Sequence, residues 1–317
     1  MSQAEFTVII VGGSIAGLAP AHCLHHANIR HIVLEKSSSP APQKGASIGM
    51  MPNGARILDQ LGLWVKVEAQ IEPLGTAIMA YPDGFHFTTS YPKIIHDRFG
   101  YPIAFLDRQQ LLQILYEGYP HRERILLSEE VIAVESFTDK ATVTTASGKV
   151  YTGHLVVGAD GVHSRVRTEI WRAAESMSPG LITAQEKASL TAEYRCIFGM
   201  SSPIPGLMPG EQVNFFSPGL SIVTVPGKLG RVYWFLMQKL DRKYTWPNCP
   251  RFTDEDIALA AAQLDQVRIY KEITFGHVWK AREAVAMTPL EEGLLKTWSW
   301  GRMVLIGDSL RKVLLDD

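Results

Sequence analysis

Three groups of residues have types and spacing that suit chemistry on a phosphate-bearing ligand. The first is Gly12-Gly-Ser-Ile-Ala-Gly17, which follows an apolar run and opens a stretch of helical character, with Glu35 about twenty positions further on. Glycines at such a strand-to-helix turn let the backbone approach a pyrophosphate, which sits on free N–H groups at the helix start. Gly12 provides the tight turn and Gly17 the close helix–strand packing. Ser14 stands where a middle glycine is usual, and its small side chain still allows a close approach, alongside Gly13. Glu35, at the end of the next apolar run, is placed to bind both hydroxyls of a ribose. An acid there, rather than a base, favours a dinucleotide without a 2′-phosphate, namely FAD or NAD. The second group is Leu155-Val-Val-Gly-Ala-Asp-Gly-Val-His-Ser-Arg-Val-Arg167, an apolar run emptying into Asp160-Gly161, Ser164 and paired arginines. The third is Met303-Val-Leu-Ile-Gly-Asp308, another apolar run that delivers a Gly-Asp pair.

These groups need elements to hold them. Phe6–Gly12 reads as a strand, Ile15–Ala27 as a helix and His31–Glu35 as a second strand. Asn53–Leu63 and Gln109–Tyr119 have helical periodicity, with Asp107 placed to cap the second. Ala141–Val157 alternates, turns at Ser147-Gly148 and alternates again, as a hairpin does. From about Glu175 prolines and glycines interleave with strand-like runs at Val213–Phe216, Leu220–Val225 and Val232–Met237, and Thr253–Val267 opens as a capped helix. The expected fold class is α/β, with a dinucleotide domain at 1–174 and 286–317 and a mostly β substrate domain inserted at 175–285.

The bulk properties agree with a globular chain. Its 317 residues suffice for one large or two intimate domains, and 46% hydrophobic with 20% charged residues is an ordinary balance. A net charge of −1 gives no electrostatic reason to expect nucleic acid as a partner. Three unpaired-looking cysteines, Cys23, Cys196 and Cys249, point to a reduced, intracellular setting. The apolar amino terminus lacks a basic leader and is broken by Gly12-Gly13, so it reads as a buried strand rather than a signal peptide. No stretch reaches the ~18 apolar residues of a membrane span, so the chain reads as soluble. No metal site is expected, because His25-His26 beside Cys23 diverge on a helix.

The ordered set GGSIAG…E, GADGVHSRVR and LIGD resembles the group A flavoprotein monooxygenases, which include para-hydroxybenzoate hydroxylase. The wording is most similar to fungal FAD-dependent monooxygenases of meroterpenoid and indole-diterpene pathways. The resemblance implies a Rossmann-like FAD-binding domain of the para-hydroxybenzoate hydroxylase type. It implies that Glu35 binds the adenosine ribose, that Gly49 in Gly45-Ala-Ser-Ile-Gly49 lies in a loop approaching FAD, and that Arg108 contacts the cofactor from a helix start. Asp160 is then associated with the pyrophosphate and with NADPH use, and Asp308 with the ribityl chain. The resemblance further implies that NADPH reduces the FAD, that O₂ supplies the oxygen, and that a small lipophilic, terpenoid- or meroterpenoid-like substrate is epoxidised or hydroxylated. Arg195, in Ala192-Glu-Tyr-Arg-Cys-Ile-Phe198, is the candidate active-site arginine facing the flavin. Tyr233 is a candidate hydrogen-bonding partner for substrate.

Two other readings stay open at this level. One is a weakly active or non-catalytic flavin-binding remnant; the other is an FAD-dependent oxidase or dehydrogenase with the same motifs. The first draws on the final residues, where Val-Leu-Leu-Asp-Asp follows Lys312 in place of the Pro- and Gly-rich turn and long helix of the family. That helix start faces the pyrimidine end of a flavin, so its absence is expected to weaken FAD binding and turnover. The relatives' apolar carboxyl-terminal segments are also missing from this sequence, and full-length relatives are expected to associate with membranes.

Overall fold

The computed structural model describes residues 6–43 and 47–312. Val313–Asp317 and Gly45-Ala46 of the flavin-loop segment therefore lie outside the described residues. Among those described, the apolar runs next to the three motifs form one six-stranded sheet. Its order is Ser299–Trp300, Met303–Leu305, Leu155–Gly158, Thr7–Val11, Arg30–Glu35, Ile125–Leu127, parallel except at the Ser299–Trp300 edge. A parallel strand covered on both faces is apolar throughout rather than alternating. Thr7–Val11 shows this directly. Val8 and Ile10 join a core containing the helices Ile15–His26 and Arg108–Gly118, while Ile9 and Val11 join the core under the helix Arg165–Met177.

The hairpin expected at Ala141–Val157 is Ala141–Thr145 with Val150–Gly153, antiparallel, and Val131–Ser136 completes a three-stranded sheet. Its outer end is held by Glu129, which accepts hydrogen bonds from Thr145 Oγ1 (2.8 Å) and Ser147 Oγ (3.0 Å) and an ion pair from Lys149. The Lys149 contact and the two hydroxyls pull the Glu129 carboxyl from 4.5 down to about 2. A depressed carboxylate stabilises the fold above the unfolded-state pKa, and that stability is lost as pH falls from about 4.5 through about 2. Glu129→Gln is accordingly expected to flatten this limb of the melting temperature against pH. An unchanged acid limb in the variant would count against the assignment.

The second large element is an eight-stranded sheet in the order Arg311–Lys312, Arg282–Leu294, Thr191–Ser201, Val232–Thr245, Leu220–Pro226, Glu211–Ser217, Thr76–Ala80, His86–Thr89. It is a mostly β element beside the α/β one. Its strands do not respect the expected 174/175 and 285/286 divisions. Thr76–Ala80 pairs in parallel with Glu211–Ser217, and Arg282–Leu294 runs unbroken across 285/286. Parallel pairing between segments so far apart in sequence leaves no local turn signal, so the sequence does not mark this pairing. One face of this sheet is sealed by Asp254–Leu264 and Phe275–Lys280 over Ile197, Trp234 and Leu236. The other face carries Phe198, Met200, Val225 and Tyr233 and meets Leu74, Ile103 and Phe105 from the α/β side.

Candidate functional site

Four adjacent parallel strands release the motif residues at their carboxyl ends. Val11 leads into Gly12, Leu34 into Glu35, Gly158 into Ala159-Asp160, and Leu305 into Gly307-Asp308. Thr7–Val11 lies between Arg30–Glu35 and Leu155–Gly158, so the chain reverses its winding direction there. In an open parallel sheet that switch point, outside the strand carboxyl ends, is where ligands bind.

The turn is built from contacts that only glycine permits. Gly12 has φ +105°, and a Cβ there would come 2.4 Å from the Ala159 carbonyl oxygen. A Cβ on Gly17 would sit 1.8 Å from the Gly12 oxygen, so the helix Ile15–His26 lies directly against the strand end. Gly13 is pressed on Glu35, and its N–H donates to Glu35 Oε2 at 2.6 Å. Glu35 Oε1 accepts from the Ser37 N–H at 2.8 Å. The half-buried carboxylate is thus fixed in position with lone pairs remaining for a ligand.

Ser14 occupies the N-cap of that helix but makes no capping hydrogen bond. Its hydroxyl instead accepts from Arg108 Nη2 at 2.7 Å. The first amides of the twelve-residue helix therefore lack a side-chain acceptor, as an anion site at a helix start requires. Arg108 begins its own helix behind Asp107, which caps it by accepting from the Gln109 N–H at 2.8 Å. Burial lowers the Arg108 pKa, and the charges of Asp308 and Glu35 oppose that fall, so the three groups share one electrostatic neighbourhood. Asp308 is exposed at the end of its strand. Gly307, at φ +62°, brings that turn against Ala16 at the helix start.

Asp160 has a different immediate task. Its Oδ1 accepts from Ser164 Oγ at 2.5 Å, and its Oδ2 accepts from the Arg165 and Val166 N–H groups at 2.7 and 3.1 Å. The carboxylate caps the helix Arg165–Met177 while Gly161, at φ +81°, turns the chain between them. Sequence reasoning passed over the residue that ties this loop to the third motif. Arg167 is completely buried and donates to the carbonyls of Val162 (2.6 Å) and Ser309 (3.0 Å). Its guanidinium lies 5.4 Å from the Trp171 ring centre and 5.0 Å from that of Trp246. Burial pulls its pKa down to about 10, so it stays charged at neutral pH. The paired arginines in the motif were the visible signal, but nothing in their spacing says which one turns inward. Ser309 completes the lock by donating to the Gly158 carbonyl at 2.7 Å.

Gly49 lies opposite Phe105 in a short antiparallel pair, where a Cβ would meet that ring at 3.2 Å. Phe105 in turn approaches Phe235 of the large sheet, with ring centres 5.9 Å apart. Gly49 therefore marks the junction between the two large elements. Tyr233 is buried nearby, 4% exposed, in the apolar cluster with Ile103 and Met200. Burial raises its phenol pKa, with the Asp107 charge adding to the effect. Its surroundings are those of a core residue.

Arg195 stands on the face of the large sheet opposite the one that packs on Phe105. Register places Ile197, Leu236 and Gln238 on its face of the sheet, while Phe198 and Phe235 point the other way. Its Nε and Nη2 donate to Gln238 Oε1 at 3.1 and 2.7 Å, and it lies over the Phe252 ring. The strand pattern told that Arg195 opposes its neighbours, but not which face meets the first motif. Among the described residues, no helix is long and apolar enough to cross a membrane.

The glycine cradle, the uncapped helix start, and the fixed Glu35 fit an FAD adenosine diphosphate half. Comparison with known proteins points the same way. The FAD binding domain family matches residues 5–314. The chain is 59% identical over 313 residues to the FAD-dependent monooxygenase ptmM of Penicillium ochrochloron, covering 99% of this chain and 74% of that protein. It is 62% identical to the FAD-dependent monooxygenase janM of Penicillium janthinellum, covering 99% of this chain but 64% of the relative's length. Klebsiella pneumoniae HpxO, solved with FAD and uric acid, shares the fold with TM-score 0.76 at 21% identity, over 98% of this chain and 74% of HpxO. The chain spans roughly two thirds to three quarters of the relatives it matches. With four strand ends converging on one glycine turn and the family matched over nearly its whole length, the chain belongs to the FAD binding domain family and groups with the fungal FAD-dependent monooxygenases.

Proposed function

We propose that this chain carries out FAD-dependent monooxygenation, using NADPH and O₂ to epoxidise or hydroxylate a small lipophilic, terpenoid- or meroterpenoid-like compound. The observation that carries the reading is the delivery of Gly12, Glu35, Asp160 and Gly307-Asp308 to one place by four adjacent strands. FAD supplies electron transfer from NADPH and activation of O₂; the chain's residues supply binding, orientation and exclusion of water. Glu35 holds the adenosine ribose and the start of the helix Ile15–His26 holds the pyrophosphate. Arg108 and Asp308 hold the segment beyond it. Asp160 and Arg167 keep the loop and the Gly307-Asp308 turn in register with that helix. The half-buried apolar face at Phe198, Val223 and Phe235, next to Gly49 and Phe105, offers a water-poor surface for the substrate.

The test uses purified protein loaded with FAD. Terpenoid substrate is expected to accelerate NADPH oxidation, and label from ¹⁸O₂ is expected in the product. Substrate oxidation without label would make the chain an oxidase or dehydrogenase. Bound FAD with no NADPH oxidation under any substrate would leave only flavin binding.

A further inference from the structure

The substrate-facing side of the eight-stranded sheet contains one continuous cross-strand row. Phe87 pairs with Met79, Met79 with Asn214, Asn214 with Val223, Val223 with Phe235, and Phe235 with Phe198. Residues directly opposite one another in paired strands share a face, so these six side chains stand side by side. Five strand spacings separate Phe87 from Phe198, a trough on the order of 24 Å long at ~4.8 Å per strand. Next to the Phe198 end, Phe235 reaches the Phe105–Gly49 junction. The other end opens at the edge strand, where exposed Phe85 lies beside Phe87, ring centres 6.2 Å apart.

Asn214 is the exception in this row. Its neighbours along the trough are apolar, yet it is only 4% exposed. Its Oδ1 accepts from Gln212 Nε2 at 2.6 Å, whereas its Nδ2 has a single long contact, 3.5 Å to the Ile78 carbonyl. An amide nitrogen carries two donor hydrogens, and a contact at that length is at the outer edge of hydrogen bonding. A buried donor so poorly satisfied is a cost to the folded state unless something else accepts from it.

We infer that Asn214 is the specificity residue of this trough: it donates to an oxygen on an otherwise apolar, elongated substrate and so fixes how far the chain slides toward the flavin end. The inference rests on the reading of this face as the substrate site. An elongated hydrocarbon makes similar contacts at many positions along a uniform apolar trough. A single fixed donor breaks that degeneracy, because only one placement satisfies it. Discrimination through a buried polar group is also much sharper than through added methylenes.

The test is equilibrium binding of two probes, farnesol and the hydrocarbon farnesene, to FAD-loaded protein by calorimetry. Wild type is expected to bind farnesol at least tenfold more tightly. Asn214→Leu and Asn214→Ala are expected to reduce that preference to twofold or less while leaving the affinity for farnesene within threefold of wild type. Two variants are used because a misfit of leucine would itself disturb packing, and FAD affinity reports on folding in each. Retention of the full farnesol preference in either folded variant, or no preference in wild type, overturns the inference. The readout is binding rather than turnover. Protein that selects farnesol through Asn214 but does not oxidise NADPH would therefore count against the monooxygenase reading alone.

Discussion

Glu35→Ala is expected to weaken FAD binding by at least a hundredfold. A carboxylate bound to both ribose hydroxyls makes two charge-assisted hydrogen bonds, each worth about 1.5–3 kcal/mol. Their combined loss at about 1.4 kcal/mol per tenfold corresponds to two to four orders of magnitude. The substitution also removes the acceptor for the Gly13 and Ser37 N–H groups, which hold the turn and the following loop. Glu35→Gln separates the two effects. It preserves an acceptor oxygen while removing the charge, so its affinity is expected between wild type and the alanine variant. Titration of each purified protein with FAD, followed by flavin fluorescence, gives the comparison. Equal affinities for wild type and Glu35→Ala would show that the ribose is not held here.

Arg167→Ala is expected to have the largest effect on stability. The guanidinium is fully buried against two tryptophan rings that also touch each other, and it satisfies two carbonyls. Truncation leaves those acceptors unpartnered at about 1–3 kcal/mol each, and it removes a desolvated cation–π contact of about 2 kcal/mol. A loss of about 4–8 kcal/mol in a chain of 317 residues lowers the melting temperature by roughly 6–12 °C. Arg167→Lys keeps the charge but not the planar fork that reaches Val162 and Ser309 together, so it is expected to recover only part of the loss. Calorimetric melts of the three proteins decide the matter. A shift below about 2 °C for Arg167→Ala would mean that the loop and the Gly307-Asp308 turn are held by other contacts.

The cofactor half of the fold was legible because its signals are local. The strand, glycine turn, helix and acid appear in order at Thr7–Val11, Ile15–His26 and Arg30–Glu35, within one or two residues of the expected limits. Asp107 and Thr253 cap the helices Arg108–Gly118 and Asp254–Leu264, as their positions in the sequence lead one to expect. Both are cases in which a side chain satisfies backbone groups two or three residues away.

What could not be read was set by distant pairing. Thr76–Ala80 and His86–Thr89 belong to the large sheet only because Glu211–Ser217 pairs with the former. Alternation along Thr191–Ser201 separates Arg195 from Phe198 but cannot say which of the two meets Phe105. Only the antiparallel pairing with Val232–Thr245 and the helix Asp254–Leu264 behind it decide that question. The trough is illegible for the same reason, since its six residues come from six strands. Arg167 shows a further limit. A charged residue that is buried without an acidic partner in contact leaves no pattern that distinguishes it from a solvated one such as Arg165.

The central claim is that the four strand ends form the site for the adenosine diphosphate half of FAD. The most direct measurement is competition: flavin-free protein is titrated with FAD in the presence of increasing ADP or increasing FMN. Saturable FAD binding is expected, displaced by ADP, with the affinity for FAD and for ADP weakened at least a hundredfold by Glu35→Ala. Saturable FAD binding that FMN displaces and ADP does not would contradict the account, because the flavin would then be held without the strand ends that define the site.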